Sequence, residues 1–273
     1  VQTCALPISY VARSVNAADS RCVNLFAESI PEGGKEPAFL NRAPGLQFLQ
    51  TVGTGPIRAL WAHQTNGSDF YVVSGVEVYK LTSTSATPVK IGTVSGTGPV
   101  SIADNGATMF FACNGPSYTY YEPTGEFNQI TDENFPGAVT VAYIDNLFVF
   151  NEPNSQRIWS VDSVDPASAT YIYPLVFNSL DFASADGSPD GVVALAVDHR
   201  EMWVFGTDSV EVWYDAGLAN FPLTRIQGAF NEIGCVAAFS VAKLDNALFW
   251  LGTDARGQGI VYRNNGYSGV RVS

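Results

Sequence analysis

The chain repeats one unit five times, and few folds tolerate that. Each unit opens on a glycine and continues into a short strand of small and branched residues. An apolar, aromatic second strand follows, then a polar turn and a further aromatic-rich strand. The copies are Gly55 with IRALWA, FYVVSG and VEVYKL; Gly98 with VSIAD, MFFACNG and SYTYY; Gly137 with AVTVAY, LFVFNE and RIWSV; Gly191 with VVALAV, MWVFGTD and VEVWYD; and Gly234 with CVAAFSV, ALFWLGTD and GIVYRN. From Gly55 to Gly98 is 43 residues, to Gly137 a further 39, to Gly191 54, and to Gly234 43. A four-stranded propeller blade takes about 40–45 residues. The spacing therefore predicts an all-β propeller with blades at 55–97, 98–136, 137–190, 191–233 and 234–273. The one long interval predicts an insertion, residues 165–190, as a loop reaching off the ring.

Strand chemistry supports the blades. Small residues at Ala59, Ala62, Ser101, Ala142, Ala194, Ala196 and Ala237 suit the crowded strand nearest a central channel. The second strands carry bulk, such as Phe110, Phe111, Phe148, Phe150, Trp203 and Trp250, which presses one blade on the next. Burying each such ring contributes roughly 1.5–3 kcal/mol. No stretch shows helical periodicity with caps. The chain stops within an outer strand of the fifth unit: either five blades close here, or the chain is part of a larger ring, the reading favoured because no terminal polar segment follows the last strand. Its opening Val1-Gln2-Thr3 has neither Met nor a signal-peptide pattern, and reads as a fragment or a processed product.

Residues 1–54 differ from the repeats. The turn cluster Pro31-Glu32-Gly33-Gly34 and the pair Pro44-Gly45 predict an extended arm with two short strands. Two roles suit it equally: completing a last blade, or contacting a neighbouring subunit.

Twenty-six acidic residues against 14 Lys and Arg leave a net charge of −12. A strong nucleic-acid binder needs cations to displace counterions from phosphates, so this segment is not expected to bind nucleic acid strongly. Cys4, Cys22, Cys113 and Cys235 form no CxxC, and only His63 and His199 could join them, which argues against zinc. No apolar run approaches the ~18 residues of a membrane helix, and no cofactor motif occurs. Asp186-Gly-Ser-Pro-Asp190-Gly191 lacks the remaining ligands of a calcium loop. The glycine-rich GTDARGQG of residues 252–259 lacks the Lys-Ser/Thr of a phosphate cradle.

Propeller glycosidases place carboxylates near the channel mouth. Asp104, Asp145, Asp198 and Asp245 each follow a first strand and are the candidates here. Three precede Asn, which suits hairpin turns better than catalysis. His63 and His199 read as surface loop residues without triad partners.

Taken in order, several segments resemble a known family. They are Asn24-Leu25, FLNRAPGL around Pro44-Gly45, the Gly-apolar-Arg strand from Gly55 to Arg58, FYVVSGVEVYKL, IWSVDSVDPASATY, SPDGVVALAV and REMWVFGTDSVEVW. Together they are similar to the packaged-DNA-stabilisation, tail-hub (tail accessory factor) proteins of short-tailed bacteriophages, the podoviruses. The resemblance implies a non-enzymatic virion structural protein in the tail, assembled in the host cytoplasm. It implies a homo-oligomeric ring below the portal and its adaptor ring, retaining packaged DNA and carrying needle and spikes. A propeller glycosidase or a lectin-like sugar-binding propeller is the alternative. The structural positions expected to matter are Asn24, Pro44, Gly45, the leading glycines Gly55, Gly98, Gly137, Gly191 and Gly234, and the core residue Trp203.

Overall fold

The structure is a computed structural model that describes residues 24–29, 38–63, 69–165, 167–253 and 257–272. The turn cluster at 31–34, the residues Cys4 and Cys22, and the opening tripeptide lie outside the described residues. The chain divides into two compact units that meet between Leu49 and Gln50.

In the first unit, β1 (Leu25–Ser29) pairs antiparallel with β2 (Ala38–Arg42). Asn24 adopts a positive φ of 54°, and its carbonyl accepts the Ala43 amide at 2.9 Å, closing the open end of the hairpin. Asn tolerates this left-handed backbone better than most residues.

The second unit is five antiparallel four-stranded sheets laid down one after another. Sheet one holds β3 (Ile57–Ala62), β4 (Phe70–Ser74), β5 (Glu77–Leu81) and β6 (Val89–Thr93). Sheet two holds β7 (Ser101–Asp104), β8 (Thr108–Ala112), β9 (Ser117–Tyr121) and β10 (Glu126–Gln129). Sheet three holds β11 (Val141–Ile144), β12 (Leu147–Asn151), β13 (Arg157–Asp162) and β14 (Phe182–Ser184). Sheet four holds β15 (Val192–Asp198), β16 (Glu201–Gly206), β17 (Val210–Asp215) and β18 (Leu223–Asn231). Sheet five holds β19 (Ala242–Leu244), β20 (Ala247–Thr253), β21 (Gly259–Asn265) and β22 (Ser268–Arg271). Every strand pairs with its sequence neighbour, so each sheet is a meander and the architecture is the expected all-β propeller.

Strand periodicity explains how the sheets stack. Successive side chains point to opposite faces. On β8, Met109 and Phe111 pack towards sheet one, while Phe110 and Ala112 pack towards sheet three. On β12, Phe148 and Phe150 face sheet two, while Leu147 and Val149 face sheet four. On β16, Met202 and Val204 face sheet three, while Trp203 and Phe205 face sheet five. A strand buried on both faces must be apolar throughout, which is why the second strands read as unbroken apolar runs.

Two expectations from sequence are corrected. CVAAFSV does not form the first strand of sheet five. A 3-10 turn occupies Ala238–Ser240, Ala237 lies outside any strand, and the strand is only Ala242–Leu244. The Ser240 hydroxyl donates to Ala237 O at 2.7 Å and accepts the Leu251 amide at 3.1 Å. A local hydroxyl thus takes partners that a ladder would have used. The insertion also does not reach off the ring. Leu175 and Phe177 are buried in the core between sheets two and three. Tyr173 stacks on Tyr121 with centroids 4.5 Å apart, and Asp132 Oδ2 accepts the Phe177 amide at 3.2 Å. The segment is a strap across sheet two that returns to supply β14.

Candidate functional site

The four candidate aspartates all stand near where the first strand of a sheet turns into the second, but not at one equivalent place. Asp145-Asn146 and Asp245-Asn246 have positive φ at both residues, as a two-residue hairpin turn of the primed type requires. In sheet four the positive-φ pair is instead His199-Arg200. Asp198 therefore stands one place earlier, inside β15, and is buried. Asp104 is also fully buried.

Their partners join sheets. Trp61 Nε1 in sheet one donates to Asp104 Oδ2 in sheet two at 2.6 Å, and the Gly106 amide donates to Oδ1 at 3.0 Å. Arg200 in sheet four donates through Nε and Nη2 to Asp145 Oδ1 in sheet three, at 3.0 and 2.8 Å. Lys243 in sheet five meets Asp198 Oδ1 in sheet four at 2.6 Å, and His199 Nδ1 lies 2.7 Å from Oδ2. Asp245 is exposed and 3.5 Å from Arg263 within its own sheet. Burial opposes ionisation of Asp198, but Lys243 and His199 outweigh it and hold the carboxyl below the ordinary aspartate range. A glycosidase needs one carboxyl raised to act as an acid. Asp198 is shifted the other way, and Asp104, Asp145 and Asp198 are occupied as struts between sheets.

A second polar cluster joins sheets one and two. His63 is not the surface loop residue the sequence suggested; it is 3% exposed. Its Nε2 lies 3.5 Å from Glu122 Oε2. Lys80 bridges Asp69 at 3.0 Å and also bonds Glu122 Oε1, which accepts from the Tyr71 hydroxyl at 3.0 Å. Burial works against a charged Glu122, yet the bonds from Lys80 and Tyr71 prevail and lower its pKa. Burial, then the bond to Glu122, pushes the Tyr71 phenol up. Lys80 loses by burial but is raised on balance by its two carboxylates. The cluster is a closed set of charges on Glu122, Lys80 and Asp69. His199, by contrast, is in an exposed turn as expected.

Three further joints were not foreseen as joints, although Arg58 was noted as the end of the Gly-apolar-Arg strand. Arg58 is buried and donates to three carbonyls: Gly98 at 2.5 Å, Gly75 at 2.8 Å and Ser95 at 2.9 Å. It clasps sheet one to the connection entering sheet two. Glu211, 2% exposed, accepts from the Gly187 amide, Trp213 Nε1 and Arg225. Asn151 accepts from the Thr140 amide and hydroxyl and donates to Val192 O, tying sheet three to sheet four. Alternation within β17 could have flagged Glu211 as an inward charge; Arg58 and Asn151 depend on neighbours distant in sequence.

The supposed calcium segment is also consumed internally. Asp190 accepts the amides of Asp208 and Ser209 and the Ser209 hydroxyl, while Asp186 lies 3.6 Å from Arg225. No group of three or more metal-ligating side chains occurs among the described residues. Cys113 and Cys235 are buried free thiols, and burial raises the Cys113 pKa to about 11.

The leading glycines differ in what demands them. A Cβ on Gly234 would come within 1.9 Å of Thr207 O, and one on Gly55 within 2.5 Å of Gly75 Cα. Gly137 has φ +95° and packs on Gly115. Gly98 and Gly191 are not crowded; their carbonyls receive Arg58 and the Thr207 amide. Pro44 and Gly45 lie exposed after β2, with nothing within 4 Å of a Gly45 Cβ.

These features define a β-propeller whose polar clusters are spent on joining its sheets. The chain belongs to the bacteriophage P22 Gp10 β-propeller family, whose family model matches residues 6–273. It is therefore a tail-associated phage structural protein by family. No curated protein matches it. Among solved structures it is similar to a putative 6-phosphogluconolactonase of Bacteroides fragilis, at 11% identity and a TM-score of 0.57, covering 91% of this chain and 80% of that one. It is also similar to the β-propeller domain of Cps50 (Swd1) from Myceliophteria thermophila, at 10% identity and a TM-score of 0.46, covering 82% and 88%. At such identities the likeness concerns the fold alone.

Proposed function

We propose that the protein is a non-enzymatic tail hub. It sits in the virion tail as a homo-oligomeric ring below the portal, meets the portal-adaptor ring, and supports needle and spikes. The observation that carries this reading is the use of Asp104, Asp145 and Asp198 as inter-sheet struts in a chain of the Gp10 family. A connector needs rigid blades more than a reactive centre. Each strut bonds across a sheet junction, where it resists sliding of one blade on the next.

The charge supports retention of packaged DNA by occlusion rather than adhesion. With 26 acids and 14 bases, the chain cannot offer a long cationic track. Stacked rings would close the exit mechanically, and acidic walls would let DNA slide at ejection. Fluorescence anisotropy with duplex DNA across a salt series tests this. The expected result is weak or no binding at about 150 mM salt; a binder with 6–10 phosphate contacts would weaken about 10³–10⁵-fold between 50 and 200 mM. Submicromolar, steeply salt-dependent affinity would refute occlusion. Mass measurement with the portal-adaptor ring tests the connector role: a defined complex supports it, and failure to associate under virion-like conditions refutes it.

A further inference from the structure

The negative charge of the chain is gathered in one stretch. Residues 91–198, which include sheets two and three and the strap, hold 13 of the 26 acidic residues and only one of the 14 basic ones, Arg157. The net charge of −12 therefore sits there, and the rest of the chain balances, 13 against 13. Glu122, Asp145, Glu152, Asp186 and Asp198 meet a basic side chain. Glu126, Asp132, Glu133, Asp162, Asp165 and Asp181 form no ion pair among the described residues. They lie on β10 and the connection after it, at the end of β13 and on the strap. Burial, then the charge of Asp162, raises the Asp181 pKa, as expected of carboxylates held together without a cation.

The same rim offers an unpaired strand edge beside a cleft. β10 is the outer strand of sheet two and pairs only with β9. The Ile130 amide donates to Ser117 O at 2.9 Å, towards β9. Hydrogen-bonded and non-bonded positions alternate along an antiparallel strand, so the backbone groups of Phe127 and Gln129 point away from the sheet. Next to this edge, a cleft of about 550 Å³ opens between residues 128–132 and strap residues 174–177. Ile130, Pro174, Leu175 and Phe177 give it an apolar lining. Thr119 on β9 also lines it; it is 5% exposed, and its hydroxyl has no hydrogen-bond partner among the described residues. Tyr118 and Tyr120, its neighbours in sequence, pack on the opposite face towards sheet one.

We propose that this rim binds an extended, basic segment of a partner protein, laid along β10 as a fifth strand with one apolar side chain in the cleft. The free backbone groups of Phe127 and Gln129 supply the pairing, as in other strand additions. The apolar side chain meets Leu175 and Phe177 and leaves the Thr119 hydroxyl a polar neighbour in the added backbone. Basic residues on either side of that anchor neutralise Glu126, Glu133 and Asp181, which fixes the sign of the partner and steers its approach. The inference rests on the connector reading only for the partner being a tail protein.

A capped seven-residue peptide tests it on the wild-type chain: leucine between two valines, with two lysines at each end. Titration followed by amide NMR should show saturable binding, with shifts gathered at residues 126–132 and 174–177. Methylating one alternate set of peptide amides should abolish binding, and methylating the other should spare it, as strand pairing requires. Gln129→Pro removes an outward amide at an edge position that accepts proline, and should abolish binding without lowering Tm; if Tm falls, the methylated peptides on the wild-type chain decide. Glu126→Lys combined with Glu133→Lys should weaken binding about 10-fold at low salt. Absence of binding up to about 1 mM peptide overturns the proposal, as do equal effects of the two methylation sets or unchanged binding to folded Gln129→Pro. Equal binding of a peptide with glutamate in place of lysine overturns the basic partner. Shifts that spermine reproduces in full reduce the site to a cation patch and overturn the strand. Each of these failures leaves the connector reading standing, because mass measurement with the portal-adaptor ring tests that separately.

Discussion

Trp203→Ala and Phe249→Ala form the sharpest paired experiment. Both rings lie on second strands of adjacent sheets, and by sequence they are equivalent. Trp203 is 2% exposed and packs against Phe205, with ring centroids 6.4 Å apart, in the core that also holds Trp250 and Tyr262. Removing an indole that buries roughly 200 Å² forfeits about 5 kcal/mol at 25 cal/mol/Å². That is an upper bound, because the unfolded chain already hides part of the area. Partial collapse of the neighbours brings the cost to about 3–5 kcal/mol, the usual range for large aromatic truncations. Phe249 is half-exposed and faces away from sheet four. Its truncation in the isolated chain should cost about 1–2 kcal/mol, since much of its area never leaves water. Calorimetry should show a fall in Tm of roughly 6–20 °C for Trp203→Ala and a much smaller fall for Phe249→Ala. Equal shifts would refute the assignment of faces, and a Trp203→Ala shift within error would refute the burial argument itself.

Other expectations follow from the polar joints. Asp104→Asn, Asp145→Asn, Asp198→Asn and Asp245→Asn should leave assembly intact, and no variant should abolish turnover of a glycoside panel; activity lost in one of them would revive the enzyme reading. Asp104→Ala should destabilise by about 1–3 kcal/mol, because part-buried Trp61 Nε1 and the Gly106 amide lose their buried carboxylate acceptor, as urea midpoints would reveal. Glu122 and Asp198 have folded pKa values below their ordinary ones. Their contribution is thus present above the unfolded values, near pH 4–4.5, and is lost as pH falls through the folded values. Tm measured from pH 6 to pH 2 should drop less steeply in Glu122→Gln than in the wild type; parallel curves would refute the role of Glu122. Tyr173→Ala should expose the strap, so limited proteolysis should cut between residues 165 and 181 faster than in the wild type, with unchanged rates counting against the Tyr121 stack.

Local pattern determined much of this protein. Repeated glycine-strand-hairpin units specify meandering sheets, because each pairing is between sequence neighbours and each turn carries its own signal, as in Asp145-Asn146 and Asp245-Asn246. Apolar runs on the second strands specify burial on both faces, since period-two alternation disappears when neither face meets water. The order and spacing of small motifs along almost the whole chain, from Asn24-Leu25 and Pro44-Gly45 to REMWVFGTDSVEVW, pointed to the family. Tertiary structure alone decided the rest. His63 lies inside, beside Tyr71 and within 3.5 Å of Glu122, 59 positions later. The 165–190 insertion, read as a loop on its Ser, Ala, Asp and Pro content, became a strap because apolar side chains within it, Leu175 and Phe177, found the seam between sheets two and three. Ser240 ended a strand that propensity favoured.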